Sequence, residues 1–92
     1  MAVKWTLTAL RSLDEIASDI AKDNPARAKS FVMALRQAVV QLESHPDMGR
    51  AGRVPGTREL VLHKHYIAIH RVREGDVEVL RLHHVARDLS GS

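Results

Sequence analysis

Apolar residues alternate at the start of the chain. Val3, Trp5 and Leu7 punctuate residues 2–7, which is the period of a short strand with one buried face. From Ala9 the period lengthens. Leu10, Leu13, Ile16, Ala17 and Ile20 recur every three or four residues, and Arg11, Asp14, Glu15, Ser18, Asp19 and Lys22 take the other side. This predicts an amphipathic helix capped by Thr8. Asp23-Asn24-Pro25 stops that helix and starts another. Asn24 can accept hydrogen bonds from free backbone amides, and Pro25 suits the first helical position, where no amide hydrogen is needed. Ala28, Phe31, Val32, Leu35, Ala38, Val39 and Leu42 then form a stripe over about five turns, ending near Ser44 because Pro46 disfavours helical geometry at His45. So short a joint folds the two helices into an antiparallel hairpin.

The run HPDMGRAGRVPG, residues 45–56, holds three of the five glycines and two of the three prolines and reads as a loop that carries Arg50 and Arg53 outward. Three strand-like runs follow, Thr57–Leu62, Tyr66–Val72 and Val77–His83, with joints short enough for antiparallel hairpins. The tail 85–92 is expected to fray after Asp88. The predicted fold is therefore α+β, a single domain over residues 1–92. After an N-terminal strand, an antiparallel helix hairpin packs on one face of a mainly antiparallel sheet that three C-terminal strands complete (β-α-α-β-β-β). If Leu60, Leu62, Ile67, Ile69, Leu80 and Leu82 face the helices, the opposite face shows Glu59, Val61, His63, Tyr66, Ala68, His70, Val77, Val79, Arg81 and His83.

The chain has 92 residues, 45% hydrophobic and 27% charged, enough for one core and too few for a large catalytic architecture. It has no cysteine, which excludes thiol enzymes and zinc fingers and fits a cytoplasmic setting. The start, Met1-Ala2-Val3-Lys4-Trp5, lacks the layout of a signal peptide, and no apolar run is long enough for a membrane span, so no membrane partner is expected. The formal charge of +3 conceals a local bias: ten of the fourteen basic residues are arginine, and seven of those lie at or after Arg50. Guanidinium pairs bidentately with phosphate and carboxylate alike, so the partner is a polyanion or an acidic protein surface.

Six histidines raise the question of metal, but no Asp, Glu or Cys stands at a spacing that would complete a shell around His63 and His65, and no cofactor or metal is expected. Glu59, His70, Arg81 and His83 could together cleave RNA, a histidine or carboxylate deprotonating a 2′-hydroxyl while guanidinium stabilises charge on the phosphate. Any half-solvated sheet face also collects such residues. A nucleic-acid footprint made of the late arginines lacks aromatic platforms for base stacking. Phosphate-loop and nucleophile-elbow patterns are absent.

The runs NPARA at 24–28, HPDMGRAGRVPGTREL at 45–60, HYIAIHRV at 65–72 and VEVLRLHHVARD at 77–88 resemble, in order and spacing, the RelE/ParE superfamily of toxins from bacterial type II toxin–antitoxin modules. The likeness covers nearly the whole chain. GR followed by GR-x-x-GTREL, a late LRLHH-x-AR-D and the early Val3-Lys4-Trp5-Thr6 look like the ParE branch. That resemblance implies a growth-arresting, plasmid-stabilising type of toxin held inactive by a cognate antitoxin, ParD-like or another small one, in a hetero-oligomer. ParE-like members poison DNA gyrase and are not enzymes in doing so, whereas RelE-like members cut messenger RNA on the ribosome. Relatives of the cutting kind that end in R-x-H-Y would align Arg81, Leu82 and His83 with a following tyrosine, but position 84 is histidine, and Lys64 is the only lysine after Lys29. The resemblance therefore favours gyrase, with Arg50, Arg53, Arg58, His84 and Arg87 as target contacts and no catalytic residue. The RelE-like alternative, a ribosome-dependent endoribonuclease, would use Glu59, His70, Arg81 and His83. A non-toxic binding module with the same fold is the second alternative.

Overall fold

The computed structural model describes residues 1–85, so Arg87 and the tail expected to fray lie outside the described residues. The elements are β1 (Val3–Trp5), α1 (Leu7–Ala21), α2 (Pro25–Val40), a 3-10 turn (Gln41–Glu43), β2 (Arg50–Ala51), β3 (Arg58–His63), β4 (Tyr66–Arg73) and β5 (Asp76–His84). One five-stranded sheet runs β1-β5-β4-β3-β2; β1 is parallel to β5 and the other pairs are antiparallel. This is the expected α+β arrangement with one addition. The two-residue β2 lies inside the segment read as loop, where Arg50 and Ala51 pair with Glu59 and Arg58.

Both helices begin where a side chain can satisfy their free amides. Asn24 caps α2, its Oδ1 accepting from the Arg27 amide at 3.0 Å ahead of Pro25. The cap of α1 is Thr6, not Thr8: its hydroxyl accepts from the Ala9 amide at 3.1 Å. The same hydroxyl lies 2.9 Å from the Val79 carbonyl and 3.0 Å from that of Leu80, and the Thr6 amide donates to Val79 at 3.1 Å. Thr6 thus ties the start of α1 to the centre of β5, a use that cap propensity alone does not reveal.

That attachment point is a β-bulge. Ile69 stands opposite Arg81 and His70 opposite Val79, which leaves Leu80 as the extra residue of β5. A bulge reverses which residues face the core on either side of it. The core unites Ala9, Leu13 and Ile16 of α1, Leu35 and Val39 of α2 and Leu42 with Leu60, Tyr66, Ala68, Val77, Val79 and Leu82 of the sheet. Leu60, Leu62 and Leu82 face the helices as expected. Tyr66, Ala68, Val77 and Val79 were expected on the opposite face and instead pack in the core. Ile67 and Ile69, expected against the helices, stand in the rows of Val61 and Glu59 on the other face, where Ile67 is still buried at 6% exposure and Ile69 is half-buried. The small side chain of Ala68, wholly buried at the middle of the sheet, lets the helix layer approach closely.

Candidate functional site

Residues directly opposite one another in a ladder share a face, so the register draws the open face of the sheet. One row runs Arg50, Glu59, Ile69, Arg81, a second Val61, Ile67, His83, and a third Lys4, Glu78, Arg71. The rows hold an apolar centre between charged margins, and Val61 is 63% exposed. Glu59 is engaged rather than free: Arg50 donates from Nε to its Oε1 at 2.9 Å. Arg71 does the same to Glu78 at 2.7 Å. Arg81 is exposed, and His83 half-buried, two residues apart on one face of β5.

His70 leaves this group. It lies in the row of Arg58 and Val79 on the helix side, wholly buried, with Nε2–H donating to the Met48 carbonyl at 3.1 Å. Its expected place on the polar face is overturned because β4 runs without interruption and its register with Leu60 and Leu82 turns Tyr66, Ala68 and His70 together toward the helices. The hydrogen bond fixes the tautomer, and Nδ1 is left buried with no hydrogen-bond partner among the described residues. Burial holds this imidazole below its ordinary pKa, the Met48 carbonyl opposes that, and the charge of Arg58 adds to it. Of the four groups that could have cleaved RNA, Glu59, Arg81 and His83 share a face and His70 does not.

The expected target contacts divide between the two ends of the sheet. Arg50, Arg53 and Arg58 cluster around the β2–β3 connection, all exposed, with Arg58 donating from Nη1 to the Gly49 carbonyl at 3.1 Å. His84 pairs with Tyr66 at the far end, about 13 Å away along β4 at roughly 3.3 Å per residue. There it belongs to a ring cluster: Tyr66 meets it edge-on at 4.8 Å, His65 stacks on it at 5.9 Å, and Phe31 of α2 contacts Tyr66 and His63 at 5.6 and 5.1 Å. His63 is held below its ordinary pKa, first by burial and then by the nearby His65, Lys64 and Arg27. No group of three or more His, Cys, Asp or Glu among the described residues is placed to hold a metal ion. Residue spacing shows His63 and His65 at a turn; it does not show His84 arriving beside them from β5.

Two further features take shape in the folded chain. A groove of about 410 Å³ runs between α1 and α2, lined by Ala17, Ala21, Ala28, Val32, Met33 and Arg36. The β2–β3 connection ends in a tight turn: the Thr57 amide donates to the Val54 carbonyl at 3.1 Å, with Pro55 second and Gly56 third at φ +86°. Pro then Gly at these positions is the signature of a type II turn, so the VPGT run carried the signal.

A strand, a helix hairpin and a four-stranded continuation whose open face and connecting loop carry the polar groups define the RelE/ParE class of toxin folds. The family description "ParE toxin of type II toxin-antitoxin system, parDE" matches residues 3–89, and the chain belongs to that family. It is 46% identical to Y4kP of Sinorhizobium fredii over 83 residues, 89% of this chain and 85% of that one. It is 33% identical to toxin RelE2 of Caulobacter vibrioides over 85 residues, 92% and 96% of the two chains. Among solved structures, the chromosomal ParDE TA system from P. aeruginosa superposes with a TM-score of 0.84 at 30% identity, covering 92% of this chain and 96% of that one. The E. coli DinJ-YafQ complex shares the fold with a TM-score of 0.58 at 12% identity, covering 92% and 93%. The chain is thus a toxin of the type II toxin–antitoxin class. None of the helices among the described residues is long and apolar enough to cross a membrane.

Proposed function

We propose that this toxin arrests growth in the cytoplasm by binding and poisoning DNA gyrase, as a protein-docking inhibitor rather than a nuclease, and that a cognate ParD-like antitoxin neutralises it. The observation that carries this reading is the dispersal of the cleavage set: His70 is buried under the helix side of the sheet, and Glu59 is occupied by Arg50. A general base must reach the proton it abstracts: His70 lies on the other side of the sheet, and Glu59, though on the face of Arg81 and His83, is held by Arg50. The extent of the match to the P. aeruginosa ParDE structure supports the same branch. The antitoxin's seat is the α1–α2 groove, whose apolar lining suits the buried face of an amphipathic helix.

Purified chain added to gyrase and relaxed plasmid should block supercoiling, and the same preparation should leave mRNA uncut in a translation extract. Cleavage in the ribosomal A site with supercoiling untouched would reverse the assignment. One observation favours that second reading: Arg81 and His83 do share the open face of β5. In that case Arg81→Ala and His83→Ala would each abolish cleavage while leaving the fold intact.

A further inference from the structure

The segment between the 3-10 turn and β3 is held at several points, although most of it is exposed. His70 holds the Met48 carbonyl, Arg58 holds that of Gly49, and Arg50 is paired with Glu59. Glycine is required at two places in this frame. Gly49 has φ +100°, and a Cβ there would lie 2.6 Å from the Glu59 carbonyl oxygen; one on Gly52 would run into the Thr57 hydroxyl. Above the frame, the Gly52 amide donates to the Thr57 carbonyl at 2.8 Å, and the Thr57 amide and hydroxyl both donate to the Val54 carbonyl, at 3.1 and 2.6 Å.

This order supports no core of its own. The tip it fixes is Arg53, Val54 and Pro55, all exposed, with Val54 at 64% among the most exposed large apolar residues described. An apolar side chain held rigidly in water gains nothing from folding, whereas a partner that receives it is spared the entropy of ordering it. Beside the tip, a cleft of about 410 Å³ runs toward β3 and β4, lined by Asp47, Thr57, Arg58, His70, Arg71 and Val72. Asp47 is set against Arg58 and the Glu78-paired Arg71, and the exposed Arg53 adds a further positive charge at the tip.

We infer that the turn at Arg53–Thr57 is a preorganised docking knob, with Val54 entering an apolar socket on a target protein whose acidic rim meets Arg53. His70 and Arg58 serve it as positioning residues from below. Protein is favoured over nucleic acid because the tip offers an aliphatic group and no aromatic ring on which a base could stack. The inference deepens the gyrase reading and rests on it for the name of the target, but not for the role of the tip.

The test compares wild type with Val54→Glu, Val54→Ser and Arg53→Glu at the tip, Gly52→Ala in the frame, and Val40→Glu as a control. Val40 is 54% exposed on α2, in another part of the fold. Each purified protein is checked by circular dichroism and urea midpoint, then titrated into the gyrase supercoiling assay and expressed without antitoxin to score growth arrest. The half-inhibitory concentration should rise at least tenfold for Val54→Glu and Arg53→Glu, severalfold for Val54→Ser and Gly52→Ala, and less than twofold for Val40→Glu. Val54→Ser keeps the test open if the glutamate variant fails to fold. Folded tip variants as potent as wild type overturn the knob. If wild type leaves gyrase untouched yet arrests growth, the gyrase reading fails alone: loss of arrest in the tip variants upholds the knob on another protein, and retained arrest overturns it. A wild type that does neither overturns both. Retention of free DNA or RNA that Arg53→Glu abolishes and Val54→Glu leaves unchanged assigns the tip to nucleic acid and overturns the protein socket.

Discussion

Because His70 is buried as the neutral ring, it should make the fold acid-sensitive in a way that one substitution isolates. The ring is 0% exposed, and both burial and the neighbouring Arg58 disfavour its charged form, against the smaller opposing effect of the Met48 carbonyl. Its folded-state pKa lies below its unfolded value, so as pH falls below about 6.5 the unfolded chain takes up the proton first. Stability from the neutral ring is complete above that pH and is lost as the solution acidifies toward the folded-state value. Within that window one proton difference gives a slope of about 1.4 kcal/mol per pH unit. His63 is lowered in the same direction and adds to the acid sensitivity, less strongly because it is only half-buried. His70→Leu should remove its own part of that slope. At pH 8 it should cost about 1–3 kcal/mol, because the Met48 carbonyl loses its donor. Urea unfolding followed through the single tryptophan, Trp5, packed against the core, at pH 8, 7, 6 and 5 separates the two effects. His63→Gln is the companion variant. A His70→Leu protein whose stability falls with acid as steeply as that of wild type would show that the ring is not held neutral, and the account of the loop anchor would fail with it.

Three other outcomes follow from the same geometry. Gly49→Ala should cost about 2–4 kcal/mol, combining a left-handed backbone with a contact to the Glu59 carbonyl, whereas Gly56→Ala should cost only about 1 kcal/mol, since φ is +86° but nothing lies within 4 Å; urea midpoints of the pair check the difference. Thr6→Ala removes the cap of α1 and its ties to the bulge, about 2 kcal/mol together, and hydrogen exchange should quicken at the Ala9 amide. Leu35→Ala, at a site 1% exposed in the centre of the core, should cost about 2–5 kcal/mol in thermal or urea unfolding.

The helix hairpin was legible because its signals are local. Asn24-Pro25 states a helix start in two residues, and the stripe of α2 repeats over many turns. Strand positions were legible too, but not all their faces. Period-2 reasoning holds only while a strand stays regular, and the bulge at Leu80 depends on Thr6, some seventy residues away. In β4 the pair Ile67 and Ile69 looks more like a core face than Tyr66, Ala68 and His70, and only the register with Leu60 and Leu82 decides otherwise. The same long-range dependence governed the candidate site. The positions of Glu59, Arg81 and His83 followed from alternation, whereas the removal of His70 to the other side and the arrival of His84 beside His65 are properties of the folded register.

The division of labour within the fold explains why so little sequence is needed to keep it and so much to aim it. Core residues come from α1, α2 and the helix side of β3, β4 and β5, whereas the 45–57 segment contributes mainly Met48 to that packing. The segment is attached through backbone carbonyls, which any residue supplies, and through glycines, which admit no side chain. Its exposed side chains can therefore change without disturbing the core, while its path over the sheet stays fixed. Neighbours at 12–13% identity still superpose over 92% or more of this chain with TM-scores of 0.58–0.67, as expected when apolar pattern and turn geometry, not particular residues, define the frame. If the toxin docks as proposed, target choice lies on the loop and the open face, where Arg53, Val54, Arg81 and His83 stand, and substitution there should alter what the toxin binds before it alters whether the toxin folds.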